Sequence, residues 1–247
     1  MFLRAYLGQV RANAKFLKEQ PVTLRVPPAY YMYEVFGPNL SSFYRSGIEV
    51  AQYVRQQLDI NQRPDPVLDL GCGVGRITFP FAQLVDPAVK VYGCDIHAGM
   101  IKWCSQQPTE GNLIFRHQKS LTTLPFESGQ FGSVVVLSII THTSAADVAP
   151  FLAEIHRVTQ PAGQILLTTQ GDAFVDRLLD HERKAYTKDG YYYRTIGPRG
   201  DRFYSSYHSR SYINQLIAGL FEVQSFKAGN VGALRPAQDV YVLSRVG

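Results

Sequence analysis

Three glycines at alternate positions follow a short apolar run, and an acidic residue ends the next apolar run. The glycines are Gly71, Gly73 and Gly75, and the run before them covers residues 67–70. A strand, a glycine-rich turn and a helix form a cradle for a nucleotide, because the bare backbone approaches the ligand and the helix start offers free N–H groups. Asp95 lies 20 residues after Gly75, where a carboxylate can accept hydrogen bonds from both ribose hydroxyls. The pattern predicts a nucleotide site.

The glycine spacing distinguishes between nucleotides. Arg76 stands where the dinucleotide fingerprint G-x-G-x-x-G has its third glycine, so a nicotinamide dehydrogenase is the least favoured reading. The segment V-L-D-L-G-C-G-V-G, with Asp69 inside the strand, instead resembles motif I of the class I S-adenosylmethionine-dependent methyltransferases. Further segments resemble the same family: Leu124-Pro125-Phe126, and residues 154–158 leading into Pro161.

The resemblance implies S-adenosylmethionine as cofactor and a set of residues that contact it. Ile96 and Met100 are expected to offer apolar contact to the adenine, and Arg45 is expected to reach the methionine carboxylate. Relatives carry a Gly-Asp pair where this chain has Lys119-Ser120, so adenine recognition must use a hydroxyl, a backbone group or water. The full set of expected cofactor contacts is Arg45, Asp69, Gly71, Gly73, Gly75, Asp95, Ile96, Met100, Ser120, Leu121 and Leu137.

Two residues after predicted strands are candidate catalytic bases. His142 follows the fourth strand, at the edge where ligands bind in open α/β sheets, and histidine is the residue type most often used as a general base. A base that removes a hydroxyl proton during methyl transfer is worth roughly 10²–10⁴ in rate. A purely structural hydrogen bond from His142 is an equally good reading. Asp172, after the fifth strand, is the reserve candidate.

Tyrosines are concentrated in one part of the chain. Seven of the fifteen lie between Tyr186 and Tyr212, where two runs flank the turn-like segment 197–200 and predict a β-hairpin. Such side chains combine apolar area with a polar tip and suit a binding wall, although a hairpin edge explains them almost as well. The predicted substrate contacts are Tyr31, His142, Tyr191, Tyr193, Tyr204 and His208.

The composition of the chain limits which binding partners and which cellular compartment can be expected for it. The net charge is +5 and no run of basic residues exceeds two, so an RNA methyltransferase is an alternative without strong support. The three cysteines form no C-x-x-C pair, which favours a reducing compartment and argues against a metal site. No apolar run approaches the roughly 20 residues of a membrane span. We therefore expect a cytoplasmic protein with a small-molecule acceptor, as a monomer or a homodimer.

The predicted strands and helices that position these residues alternate along the chain, as in an α/β fold. We predict a three-layer sandwich with a seven-stranded, mostly parallel sheet whose last strand is antiparallel. Residues 1–60 form an N-terminal helical cap and 61–247 the methyltransferase domain, in which the helix-and-hairpin insertion 171–208 is a substrate lid. Within the cap, residues 2–17 predict one basic amphipathic helix, for which packing on its own domain is favoured over contact with a membrane.

The predicted function is methyl transfer from S-adenosylmethionine to a small molecule, on a hydroxyl. The alternatives are the RNA methyltransferase and a non-catalytic protein that keeps the fold as an interaction module. The second alternative stays open because the adenine-binding acid is missing and Gly132 stands where relatives have an aspartate.

Overall fold

The computed structural model describes residues 1–20, 24–60, 64–109, 111–195, 204–230 and 237–247. Its central sheet has seven strands. Their bounds are β1 Val67–Leu70, β2 Val91–Asp95, β3 Leu113–His117, β4 Phe131–Val136, β5 Thr159–Thr169, β8 Phe221–Lys227 and β9 Asp239–Arg245. Two more strands, β6 Tyr191–Thr195 and β7 Tyr204–His208, pair as a separate antiparallel hairpin.

The sheet has the strand order β3-β2-β1-β4-β5-β9-β8. The pairs among the first five strands are parallel, and β9 is antiparallel to both of its neighbours. Every residue of β1 and β4 is buried, as expected of central parallel strands covered on both faces. The predicted sheet, with its antiparallel last strand, is confirmed.

Helices cover both faces of this sheet. Their bounds are α1 Phe2–Leu7, α2 Val10–Lys18, α3 Ala29–Val35, α4 Leu40–Gln57, α5 Thr78–Leu84, α6 Ala98–Ser105, α7 Ala145–Val158, α8 Asp180–Asp189 and α9 Arg210–Ile217. Phe151 and Ile213, from α7 and α9, belong to the core on one face. Ala51 and Phe81, from α4 and α5, belong to the core on the other. The three-layer arrangement follows from these two cores.

Several predicted helix boundaries were wrong. The single helix over residues 2–17 is two helices, which separate at Gly8 and Gln9. The apolar spacing of residues 46–58 predicts a helix from about Ser46, but α4 begins six residues earlier because Asn39 caps it, its side chain accepting from the Ser42 N–H at 2.8 Å. The sequence also predicts a helix from Asp172 to about Tyr186; instead Asp172 begins a short 3-10 helix, Asp172–Arg177, and α8 follows separately.

A buried ion pair fastens the hairpin to α8. Glu182 is 3% exposed, and its carboxylate accepts hydrogen bonds from the Arg194 guanidinium, with Nε at 2.9 Å from Oε1. The Leu179 N–H also donates to this carboxylate at 2.7 Å. The pair therefore joins the start of α8 to β6. The predicted turn at residues 197–200 lies outside the described residues.

We predict that Arg194→Met destabilises the protein by about 3–5 kcal/mol at pH 7, because it leaves the buried Glu182 charge without its cationic partner. The Arg194 hydrogen bond, more than any other contact, lowers the pKa of Glu182 to about 2. The pair therefore stabilises the fold above the usual carboxyl pKa, and this contribution is lost as pH falls toward 2. Denaturant unfolding at pH 7 and pH 3 measures both effects.

Arg45→Met is the matched control. Arg45 and Glu49 form an ion pair at 3.9 Å with both side chains largely exposed, so this change should cost under about 1 kcal/mol. Equal losses in the two variants, or a loss in Arg194→Met that does not shrink at pH 3, would contradict the role given to the buried pair.

Candidate functional site

A cavity of about 470 Å³ lies at the carboxyl ends of β1, β2, β3 and β4. This is the edge at which open α/β sheets bind their ligands. Predicted residues from four separate stretches of the sequence meet there, together with residues that the sequence did not single out. The lining residues are Leu70, Gly71, Asp95, Ile96, Gln118, Lys119, Ser120, Leu121, Thr122, Ile139, His142, Thr143, Ser144 and Asp147.

The glycine turn forms one wall. Gly71 has φ +80° and Gly73 has φ +56°, a region that other residues enter only with strain. The N–H groups of Gly71 and Cys72 both donate to the Cys94 carbonyl, at 2.7 and 3.0 Å. A Cβ at position 71 would lie 2.0 Å from Cδ1 of Ile139. Only a bare backbone fits between β1 and the residue that faces it across the cavity.

Asp95 holds this turn and faces the cavity. Its Oδ2 accepts from the Gly73 N–H at 2.8 Å, and its Oδ1 accepts from the His97 N–H at 2.7 Å. A carboxylate offers about four acceptor positions, so the Asp95 oxygens keep lone pairs after these two bonds. The carboxylate is half-buried and lines the cavity. It is therefore preorganised to accept from the hydroxyls of a bound sugar.

Asp69 supports the turn from behind. Its side chain is buried, and its Oδ2 accepts from the Thr78 hydroxyl at 2.6 Å. Burial raises the pKa of Asp69 to about 6, against the lowering effects of the Thr78 hydrogen bond and the Arg76 charge. The bond joins β1 to the first residue of α5, so Asp69 fixes the helix that follows the turn. Its predicted contact with the cofactor stays a prediction.

Apolar and polar groups alternate where a nucleotide base would lie. Ile96 is exposed on the cavity and Leu121 lines it with Ser120. The Ser120 hydroxyl lies 3.0 Å from that of Thr122 and accepts from the Thr122 N–H at 3.1 Å. The residues that follow β3 therefore place hydroxyl and backbone groups beside the cavity.

His142 reaches the same cavity with a defined tautomer. Its Nδ1 lies 2.7 Å from the Tyr204 carbonyl oxygen. A carbonyl can only accept, so Nδ1 carries the proton and Nε2 keeps a free lone pair when the ring is neutral. This is the form of histidine that can take a proton from a substrate. The bond comes from β7 of the hairpin, which explains how the insertion orients a residue after β4.

Ser138 sets the direction in which the chain leaves β4 toward His142. It has φ +61°, unusual for a residue other than glycine. Its N–H donates to Thr168 Oγ1 at 2.8 Å, its hydroxyl donates to Gln238 at 2.9 Å, and its carbonyl accepts from Thr141 Oγ1 at 2.6 Å. These three bonds hold the strained backbone, and the short 3-10 helix Ile140–His142 follows at once.

The hairpin tyrosines stack on one another beside His142. Tyr193 and Tyr204 stack with ring centroids 5.8 Å apart, and Tyr204 is buried while Tyr193 is half-exposed. Tyr191 stacks on Tyr212 at 5.4 Å and lies 5.1 Å from His208. Burial lowers the pKa of His208 to about 3, so this ring is neutral at physiological pH. Neither of its nitrogens has a hydrogen-bond partner among the described residues.

Some predicted contacts do not reach the cavity. The Arg45 side chain is exposed beside Glu49. Met100 is buried against the N-terminal helices, in a cluster with Met32 and Phe43. Leu137 packs on the sheet core. Met100 lies on a predicted helix whose geometry directs its side chain elsewhere. Arg45 precedes the predicted helix start at Ser46, and Leu137 lies just after the end of β4.

Other predicted residues also lie apart from the cavity lining, including Gly73 and the hairpin residues Tyr191, Tyr193, Tyr204 and His208. Gly75 borders a smaller cavity of about 250 Å³ on the other side of the turn. Asp172 accepts from the Tyr186 hydroxyl at 2.7 Å and lines a different cavity, of about 540 Å³. That position separates the reserve base from His142. The Tyr31 ring packs 5.0 Å from that of His97.

The sequence reading missed several lining residues. Gln118 is buried after β3, and its N–H donates to the Asp95 carbonyl at 3.0 Å. Ile139 and Asp147 flank His142 along the chain. The position of residues 118–122 just after a predicted strand could have pointed to them, because strand ends converge at this edge. Nothing in residue type distinguished Ile139.

The N-terminal helices close one side. Val35 of α3 lies against Gly73, where a Cβ on the glycine would come 2.5 Å from Cγ1 of Val35. Tyr31 of the same helix packs on His97. The turn after β1 and the turn after β2 are thus both covered by α3. This position agrees with the predicted cap, whose movement as a lid stays a prediction.

The cavity fits the nucleoside that the sequence implies. It has a glycine wall that a Cβ would fill, a carboxylate with free lone pairs and an apolar slot at Ile96 and Leu121. A volume of about 470 Å³ falls within the roughly 300–1,000 Å³ of small-molecule sites.

Comparison with known proteins agrees with this geometry. Residues 67–163 match the family model of a methyltransferase domain. The ubiquinone/menaquinone biosynthesis C-methyltransferase UbiE of Burkholderia cenocepacia (strain HI2424) is 28% identical over 162 residues, or 64% of this chain and 62% of UbiE. The demethylmenaquinone methyltransferase of Lactococcus lactis subsp. lactis (strain IL1403) is 33% identical over 103 residues, 40% of each chain. This chain therefore spans about 62% of the length of the Burkholderia relative.

A solved structure shows the same fold over nearly the whole chain. The magnesium protoporphyrin IX methyltransferase ChlM of Synechocystis PCC 6803, determined with bound SAH, superposes with a TM-score of 0.60. The match covers 97% of this chain and 98% of ChlM, at 17% identity. Among the described residues, no helix combines the length and the apolar character that crossing a bilayer requires.

We predict that Ser138→Val lowers stability by about 1–3 kcal/mol, because a β-branched residue is strained at positive φ and the hydroxyl bond is lost. Ser138→Gly should cost less, since glycine adopts this backbone freely. Denaturant unfolding measures both. In ¹⁵N spectra of histidine-labelled protein, Ser138→Val should also shift the His142 ring signals.

Ala162 provides the control, because it too has positive φ, +58°, and lies away from the cavity. Ala162→Val should destabilise the fold by a similar amount and leave the His142 signals in place. If both valine variants move those signals equally, Ser138 has no special part in placing His142.

Proposed function

We propose that this chain, which belongs to the class I S-adenosylmethionine-dependent methyltransferase family, transfers the methyl group of S-adenosylmethionine to a hydroxyl of a small molecule. One observation carries the proposal. The glycine turn, the Asp95 carboxylate and the free Nε2 of His142 border a single cavity. Cofactor and acceptor can therefore meet beside a base.

The chain's own residues would hold and orient the cofactor. The sulfonium supplies an activated methyl group with a good leaving group already in place. The Asp95 oxygens accept from the ribose hydroxyls with the lone pairs that Gly73 and His97 leave free. Ile96 and Leu121 contact the base, and the Ser120 hydroxyl is available to its polar edge. Alignment of two bound reactants can lower the barrier by up to about 10 kcal/mol.

His142 would remove the proton from the acceptor. Its Nε2 takes the hydroxyl proton as the oxygen attacks, and the imidazolium that forms is stabilised by its Nδ1–H bond to the Tyr204 carbonyl. The proton returns to solvent after product release. Tyr204 therefore acts as a positioning residue through its backbone.

The tyrosine hairpin is proposed as the acceptor wall. Tyr191 donates to the Thr143 carbonyl, in the segment that carries His142, at 3.5 Å, and the exposed face of Tyr193 continues the stack on Tyr204. Flat apolar rings with hydroxyl tips suit a planar acceptor with polar substituents. The insertion 171–208 would then cover the acceptor while α3 covers the cofactor.

Methylation at carbon is the second candidate, because the Burkholderia relative is named a C-methyltransferase of quinone biosynthesis. Removal of a phenolic proton by His142 raises the electron density of the ring at oxygen and at neighbouring carbons. The same base can thus serve either outcome. Carbon-13 NMR of product made with labelled methyl donor separates the two, since O-methyl and C-methyl carbons differ in chemical shift.

Isothermal titration should show S-adenosylmethionine bound with micromolar affinity. We predict that Asp95→Ala weakens this binding by at least about tenfold, because hydrogen bonds to a charged group contribute about 1.5–3 kcal/mol each. Asp86→Ala is the matched control: Asp86 accepts from the Ala88 N–H at 2.8 Å in the same local pattern, outside the cavity. Absence of binding by the wild-type chain, or equal losses in the two variants, would refute the cofactor site.

A methyl-transfer assay tests whether His142 acts as the base. With a panel of phenolic and quinol acceptors and labelled donor, His142→Gln should lower the turnover rate by about 10²–10⁴ and leave the affinity for S-adenosylmethionine within about twofold. His156→Gln is the control, because His156 lies outside the cavity with Nε2 2.9 Å from the Val246 carbonyl oxygen. Unchanged turnover in His142→Gln would eliminate the base and leave the cofactor site standing.

A further inference from the structure

The two N-terminal helices expose apolar side chains that the fold leaves uncovered. Leu3 and Leu7 of α1 are 64% and 61% exposed, and Val10 and Leu17 of α2 are each 42% exposed. Every residue of these helices is at least partly exposed. Scattered exposed apolar side chains are common, but four large ones within the first 17 residues are a concentration that a binding partner would explain.

Only one side of each helix packs on the protein. In α2, Asn13 donates to the Pro38 carbonyl at 2.8 Å and accepts from the Leu40 N–H at 2.9 Å. Phe16, on the same side, stacks on Tyr44. In α1, Phe2 contacts Tyr30 and Tyr33. The packing that was expected for this segment accounts for these residues and not for the exposed leucines.

Helical spacing arranges the rest of the surface into two stripes. Val10, Ala14 and Leu17 recur at intervals of four and three residues, so they share a face. Arg11, Lys15 and Lys18 recur in the same way, one residue further along. A cationic stripe therefore lies directly beside the apolar one. Leu3 and Leu7, four apart in α1, form a face of their own.

The charge of this surface favours one kind of partner. Residues 1–20 contain Arg4, Arg11, Lys15 and Lys18 against the single acid Glu19. This short segment thus holds three of the five net positive charges of the chain. A second copy of the chain would bring the same cations together and be repelled. An anionic lipid surface complements both stripes, accepting the apolar side chains at the depth of its headgroups.

We propose that α1 and α2 dock on the surface of an anionic phospholipid bilayer, with Leu3, Leu7, Val10 and Leu17 inserted and the cations at the phosphate level. This inference goes beyond the proposed function and does not depend on it. The docked surface would be continuous with the cap of the cavity. Phe2 packs on α3, and α3 covers the glycine turn, so a bilayer on this side would lie next to one wall of the site.

Vesicle flotation with the full chain tests the proposal. The protein should associate with vesicles of phosphatidylcholine and phosphatidylglycerol mixed two to one, and much less with phosphatidylcholine alone. The association should weaken as salt is raised. Arg11→Glu with Lys18→Glu should lower the partition coefficient by at least about tenfold. Leu3→Ser with Leu7→Ser should have an effect of about the same size.

Matched variants separate this surface from general charge and general hydrophobicity. Lys184→Glu with Lys188→Glu removes the same charge from exposed positions on α8, and Leu179→Ser removes an apolar side chain that is 60% exposed elsewhere. Both should bind vesicles like the wild type. Circular dichroism melts and titration with S-adenosylmethionine, unchanged across all variants, establish that folding and the cofactor site are intact.

Three outcomes would overturn the proposal. The first is no preference for the anionic vesicles over the neutral ones. The second is an equal loss of association in the α8 variants and the α2 variants. The third is a wild-type dimer in light scattering that Leu3→Ser with Leu7→Ser converts to a monomer while vesicles bind neither form, because a second copy of the chain would then be the partner of this surface.

Discussion

Three N–H groups of the turn after β1 are bonded to the end of β2. Gly71 and Cys72 donate to the Cys94 carbonyl, and Gly73 donates to the Asp95 carboxylate. These bonds fix two neighbouring parallel strands at their carboxyl ends, where the sheet has no further ladder to hold them. The turn can only make them with positive φ, which requires glycine. The shape of the cavity, the direction of Asp95 and the place of α3 all follow from this contact.

Several polar groups elsewhere in the described chain are held by a fixed partner. Asp69 is bonded to Thr78, Ser138 to Thr168, and Glu182 to Arg194. Each bond joins elements that are far apart in sequence or that meet at a sharp turn, so each contributes to direction as well as to stability. His208 differs, because its buried ring nitrogens find no partner within the described chain. Its neutral charge state limits the cost of that burial.

The insertion after β5 is tied to the sheet through the same segment that carries His142. The Tyr204 carbonyl accepts from His142, the Ser206 hydroxyl donates to the Ile140 carbonyl, and Tyr191 contacts the Thr143 carbonyl. A displacement of the hairpin therefore changes the orientation of the imidazole. In the proposed mechanism, covering of the acceptor and alignment of the base would therefore be mechanically linked, which would be a physical reason for a tyrosine-rich hairpin to pack at this position.

Features that depend on residues close together in the chain could be predicted from the sequence. The apolar runs, the alternate glycines and the acid at residue 95 predicted a parallel sheet, the glycine turn after β1 and the edge of the sheet where the cavity lies, since each depends on neighbours in the chain. Tertiary packing alone decided which side chains reach the cavity. Met100 belongs to a correctly predicted helix but packs away from the cavity, and Arg45 is exposed beside Glu49, whereas Ile139 lines the cavity with no signal in its residue type. The tautomer of His142 depends on a carbonyl 62 residues away. The exposure of the α1 leucines depends on which other elements of the folded chain pack against them. Periodicity specifies the face of an element, but only the folded chain specifies what that face meets.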